Sequence, residues 1–161
     1  MSAREILTRP LTAEAFAPFG AVIEVRGEAR RINAGACLRY HALAEIDVAG
    51  RAGISVFASR VVALPCRFDL VERHPLGSQA FIPMSDDPFL VIVAPDAGGV
   101  PGNPCAFITN GAQGVSYGRG VWHGVLTPLS GPGLFAVVDR IAPGDNLEEF
   151  RYPAPFELRA P

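Results

Sequence analysis

The sequence predicts an all-β domain, a sandwich or a closed barrel carrying one or two short helices. Three observations lead there. First, 15 Pro and 17 Gly are spread along the 161 residues and cut the chain into short apolar runs. Second, runs such as "GISVFASRVV" and "PFLVIVA" are rich in Val, Ile and Phe, the composition of a strand packed on at least one face. Third, helix signals are scarce. Many short strands joined by tight turns close into a sandwich or a barrel, and the length suits a single domain spanning residues 1–161. With 49% hydrophobic and 19% charged residues, such a domain can bury a real core.

Taken in order, "TAEAFAPFG" is the first element, a short helix with Thr12 as N-cap, Glu14 in its first turn, and Pro18 and Gly20 ending it. Strands are expected at 21–25, 52–61, 68–72, 79–83, 89–94, 106–109, 114–117, 124–126 and 134–140. The stretch "YHALAEIDVA" suits another helical turn or two. The tail "YPAPFELRAP" reads as extended chain wrapping the surface.

The charge pattern excludes several classes. Net charge is −2, lysine is absent, and the 14 arginines are scattered, so no basic stripe invites nucleic acid. The N-terminus lacks the apolar core of a secretory signal, and no run reaches the eighteen or so apolar residues of a membrane span. Cys37, Cys66 and Cys105 are odd in number and widely spaced, which reads as buried thiols in a reducing compartment. The expectation is a cytoplasmic protein with neither nucleic-acid nor membrane partners.

Two stretches carry the candidate chemistry. In "LVERHPLGSQAFIP", Glu72 and His74 are two apart and share one face of a strand, and Gln79 returns beside them after the turn. In "GVSYGRGVWHGVL", a turn at Gly118 and Gly120 leads into Trp122 and His123. A fold that joins the two stretches gathers two imidazoles, a carboxylate and an amide, a set that can hold a metal or polarise an oxygen. Arg73 alternates away from that face. Trp122 reads as barrel packing, Ser78 as turn chemistry, His41 as a surface or packing histidine, Asp139 as a structural ion pair or subunit contact, and Asn146, Glu148 and Glu149 as a solvated turn. Asn33 either caps its segment or reaches the pocket.

The spacing resembles the two-part motif of cupins, small β-barrels with a metal in the mouth. Glu72, His74 and Gln79 stand in the first half, with Glu72 replacing the usual first His, and Gly120 and His123 stand in the second. A closer resemblance covers nearly the whole chain. "LTAEAFAPFGAVIE", "RINAGACLRYHALA", "ERHPLGSQAFIPM", "AFITNGAQGVSYGRGVWH" and "FAVVDR" are similar to the ureidoglycolate lyase family, formerly called ureidoglycolate hydrolases. One departure is His123-Gly124, where that family often has two adjacent histidines. Either a catalytic group is missing here, or the second His only faced the other side of the strand; alternation favours the latter.

What the resemblance implies is a cupin-like homodimer that takes (S)-ureidoglycolate as its small-molecule substrate and releases glyoxylate and urea in allantoin breakdown. It also implies a divalent metal, nickel being the ion associated with the family, although the same residues without metal could bind glyoxylate through hydrogen bonds. The reaction needs a base for the substrate hydroxyl, an acid for the departing nitrogen and a cation for the carboxylate. His74, Gln79 and His123 are expected to hold metal or substrate oxygens, with Glu72 as fourth ligand or base. Arg39 is the expected carboxylate anchor, Tyr40 a proton or hydrogen-bond donor, and Tyr117 a lesser binding residue. Two other readings stay open: a cupin-type enzyme acting on another small acid, and a non-catalytic barrel that binds a small carboxylate.

Overall fold

The computed structural model describes residues 3–161, and its regular secondary structure is nearly all strand. Among the described residues fifteen strands lie in two large sheets and one small one, and runs of Val, Ile and Phe between turn residues form the inner ones such as 89–94 and 134–140. The first large sheet runs in the order β1 (Arg4–Leu7), β15 (Glu148–Arg159), β7 (Cys66–Arg73), β12 (Trp122–Gly124), β9 (Phe89–Ala94), β10 (Cys105–Ile108) and β2 (Arg9–Pro10), with β13 (Thr127–Pro128) also on β9. The second runs β3 (Gly20–Ile23), β11 (Gly114–Tyr117), β8 (Gln79–Pro83), β14 (Leu134–Arg140) and β6 (Ala52–Ala58). The two sheets face each other as a cupin-like barrel. Between them lies a core of Val22, Phe81, Phe89, Val91, Val93, Phe107, Val115, Tyr117, Phe135 and Val137. Phe16, the one buried residue of the four-residue helix α1 (Ala13–Phe16), closes one side, and its N-cap is Thr12, whose hydroxyl accepts from Ala15 N as expected.

Strands 79–83, 89–94, 114–117 and 134–140 fall where the sequence puts them, and those expected at 21–25, 52–61, 68–72 and 106–109 shift or change length by a few residues at their ends. Four differences are larger. The strand expected at 124–126 lies earlier, at Trp122–Gly124, because His123 pairs with Glu72 on one side and Val93 on the other. Residues 40–49 form no helix; they run as irregular chain across the outer face of the second sheet, against Ala80, Ile82, Ser116 and Val138. The C-terminal tail is no loose wrap but the end of β15, which pairs with β1 and β7 and buries Tyr152, Phe156 and Leu158. Its prolines, Pro153 and Pro155, sit where pairing with β7 is interrupted between Arg151 and Phe156, so neither removes a ladder hydrogen bond there. Finally, a small hairpin, β4 (Arg30–Ile32) with β5 (Cys37–Arg39), stands apart from both sheets. No helix among the described residues is long and apolar enough to cross a membrane.

Candidate active site

The site forms where β7, β8, β11 and β12 bring inward-facing polar residues together inside the barrel. Pairing of His123 with Glu72 sets those two side by side on one face of the first sheet. Pairing of Gln79 with Tyr117 does the same on the second. His74 directly follows β7 and leads into the Pro75–Gly77 turn that delivers Gln79. One ligand atom from each of Glu72, His74 and His123 falls within 4.8 Å of the others.

The hydrogen bonds fix which nitrogens are bare. His123 Nδ1 lies 3.0 Å from the Gly124 carbonyl, and a carbonyl only accepts, so Nδ1 carries the proton and Nε2 carries the lone pair. That Nε2 is buried without any hydrogen-bond partner. Burial pushes the His123 pKa down to about 3, with the neighbouring His74 acting in the same direction and the Gly124 bond opposing it, so the ring is neutral. Tyr117 stacks on it at 4.2 Å between ring centres and 6° between planes, which holds the imidazole in one orientation. The phenol stays protonated, because burial and the Glu72 charge both raise its pKa.

His74 shows the same pattern. Its Nδ1 lies 2.8 Å from the Asn146 carbonyl, so Nδ1 donates. Its Nε2 lies 3.1 Å from Gln79 Oε1 and 3.9 Å from Glu72 Oε1. Gln79 cannot turn its amide nitrogen towards His74, because that nitrogen donates to Asp139 Oδ2 at 3.0 Å. Two acceptors therefore face each other unless a proton or a cation lies between them. An imidazolium at His74 satisfies the arrangement. So does a divalent ion facing His74 Nε2, Gln79 Oε1 and the partnerless His123 Nε2. This donor set, two imidazoles with an amide and a carboxylate oxygen close by, fits a first-row divalent metal.

Glu72 links the cluster to the outside. Burial raises its carboxyl pKa, the charge of Glu149 adds to this, and His74 partly offsets it. It is the cluster residue that lines a cleft of about 370 Å³, whose other walls are Phe57, Ala58, Ser59, Phe81, Val125 and Leu126. Gly124 faces the opposite side of β12, where an added Cβ would meet Ile92 Cβ at 2.9 Å. A second histidine at this position would therefore point away from the cluster.

The structure brings Glu72, His74, Gln79, His123 and Tyr117 together. It does not bring Arg39 or Tyr40 to them within one chain. Arg39 is exposed on the small hairpin, and Tyr40 lies on the outer face of the second sheet, with that sheet between it and the cluster. Arg73 faces away as strand alternation requires, bonded to Glu148 and Asp96 with its guanidinium over Trp122. Two supporting residues were missed. Asn146 is not a solvated turn residue: its carbonyl orients His74 and its Oδ1 accepts from Leu76 N at 2.6 Å. Asp139 orients Gln79, and its place in β14 carried a signal, since it continues the inward alternation of Phe135 and Val137. Asn146 lies in a Gly-Asp-Asn loop and carried none.

Comparison with known proteins agrees across the chain. Residues 3–159 match the family model described as "Ureidoglycolate lyase". A protein of Rhodobacter capsulatus named ureidoglycolate lyase is 57% identical over 93% of this chain and 95% of its own length. Relatives of the same name from Chelativorans sp. and Mesorhizobium japonicum are 51% and 50% identical, the first covering 98% of both chains and the second 97% of this chain and 98% of its own.

Proposed function

The chain belongs to the ureidoglycolate lyase family, and from that premise we propose that it cleaves (S)-ureidoglycolate to glyoxylate and urea, as a step in allantoin breakdown, at the cluster of Glu72, His74, Gln79 and His123. The observation that carries the site assignment is the convergence of two imidazole Nε2 atoms, that of His123 buried without a partner, beside a carboxylate that reaches the cleft.

Each residue has a role. His74, Gln79 and His123 offer neutral donors and would hold the divalent ion, nickel being the one the family resemblance implies. Bound there, the ion supplies a Lewis acid that makes the substrate hydroxyl easier to deprotonate. Glu72 is the base. It alone of the cluster borders the cleft, and burial has raised its pKa towards the range where a carboxylate accepts and returns a proton readily. It takes the hydroxyl proton; the O–H electron pair becomes the second bond of the aldehyde carbonyl. The C–N bond pair leaves with the ureido nitrogen, which takes the same proton back from Glu72. One substrate gives glyoxylate and urea, with no water consumed. Tyr117 holds His123 in plane by stacking. The protein is proposed to work in the cytoplasm as a homodimer, as family membership implies.

Incubation with racemic ureidoglycolate tests the reading. Equal release of urea and glyoxylate that stops at about half the racemate, as expected when a chiral pocket accepts one enantiomer, supports it. Ammonia in place of urea, or no turnover with any added divalent ion, overturns it.

A further inference from the structure

The cluster carries no cationic side chain of its own to bind the carboxylate of the substrate. The arginines nearest it in sequence are already engaged. Arg73 bonds Glu148 and Asp96, Arg119 bonds Asp47, and Arg140 bonds the carbonyls of Ala49, Ala142, Pro143 and Gly144. The walls of the cleft above Glu72 carry no cationic side chain.

The β4–β5 hairpin has the opposite problem. Arg30 and Arg39 are directly opposed across its two strands, both exposed, and neither has an ion pair or side-chain hydrogen bond among the described residues. Like charges opposed across a strand pair destabilise it unless an anion joins them. Their joint field already holds the nearby His41 below its ordinary pKa. The backbone is unusual here as well. Asn33, Ala34 and Ala42 are the non-glycine residues at positive φ among those described, and all three lie in or beside this hairpin. Strained, exposed backbone of this kind persists where a neighbour holds it, and such positions gather at ligand clamps.

The rim of the cleft supplies a neighbour. Phe57 and Val125 are exposed at the cleft itself. Leu38 and Val25, in and before the hairpin, are exposed apolar residues that suit such a rim. The hairpin cannot cover its own cleft, since Tyr40 is anchored on the outer face of the sheet that separates it from Glu72. A two-fold pair of identical chains lets each hairpin reach the other's cleft.

We propose that the β4–β5 hairpin of one copy closes over the cleft of a second copy, and that Arg39, with Arg30 beside it, binds the carboxylate of the small hydroxy-acid substrate there. The proposal rests on the lyase reading for its substrate and on the geometry for its partner. A planar guanidinium binds both carboxylate oxygens, and a pair of them outweighs the negative charge of Glu72 below.

Mixed dimers test it. Arg39→Ala is expected to keep the wild-type melting temperature and raise KM about ten- to a hundredfold, the loss of a charge-assisted contact. Glu72→Gln is expected to lose kcat. Co-expressed with different tags and purified as the mixed pair, the two are expected to recover about half the wild-type kcat/KM per dimer, because one site of the pair then holds Glu72 from one chain and Arg39 from the other. No recovery overturns the proposal. So does an unchanged KM in Arg39→Ala with a raised KM in Arg60→Ala, since Arg60 is exposed on the loop after β6, beside Ser59 of the cleft, in the same chain. Light scattering gives a readout independent of turnover. Wild type is expected as a dimer, and replacement of residues 30–39 by a Gly-Ser linker is expected to shift it towards monomer. A monomeric wild type overturns the proposal even if the lyase activity is present, and an inactive dimer with hairpin-dependent mass removes the lyase reading while leaving the contact.

Discussion

At the scale of single residues, His123 and Glu72 separate into different experiments. His123 is neutral in the fold because its pKa has been pushed from 6.5 to about 3, while the unfolded chain takes up a proton below 6.5. Between those values the unfolded state binds more protons, so stability falls as pH falls through this window and is unaffected above it. In chelated protein, His123→Gln is expected to flatten that part of the stability-against-pH curve, measured by urea unfolding from pH 7 to 4; an unchanged slope would show that the ring is not held neutral. Glu72→Gln keeps the neutral donors of His74, Gln79 and His123. It is expected to retain bound metal yet lower kcat by about 10²–10⁴-fold, the usual worth of a general base. Loss of metal together with turnover, measured by elemental analysis of the purified variant, would instead make Glu72 a ligand.

At the scale of elements, β12 and β14 show what a strand does for a site. Alternation along β12 sends His123 inward and Gly124 outward against Ile92. Gly124→His is therefore expected to add no activity and to cost about 1–3 kcal/mol through overpacking, measured by denaturant unfolding. Alternation along β14 sends Asp139 inward to hold the Gln79 amide, and loss of such an outer partner typically weakens metal affinity about 10–100-fold. Asp139→Ala is expected to show that loss in a metal titration while still folding. Elements of this kind were readable in the sequence where apolar runs are long and turn residues mark their ends, as at 79–83 and 134–140. The same alternation rule rightly set Arg73 apart from Glu72 and His74. Reading failed where the cause is tertiary. β15 was hidden by Pro153 and Pro155, which only the interrupted pairing with β7 accommodates. The β4–β5 hairpin was hidden because three-residue strands rich in arginine carry no apolar period. Asn146 reaches His74 through its backbone carbonyl, and no side-chain pattern announces that.

At the scale of the whole molecule, the site sits on the seam of the two sheets. Glu72 and His123 come from β7 and β12 of the first sheet, His74 directly follows β7, and Gln79 comes from β8 of the second. An ion held by His74, Gln79 and His123 would thus join the sheets that enclose the core, and the apo protein would keep two acceptors opposed and one buried nitrogen without a partner. Binding to the folded state alone stabilises it by about 2.7 kcal/mol at a free concentration a hundred times the dissociation constant. Chelation is therefore expected to lower the melting temperature, and one divalent ion per chain to restore it. The same titration on His123→Ala separates this account from a general effect of ions. The donors of the first sheet are then reduced to His74 beside Glu72, so the restored shift should shrink or vanish. A full shift in the variant would mean that the ion binds elsewhere, and that the opposed acceptors of His74 and Gln79 are reconciled by a proton on His74 instead.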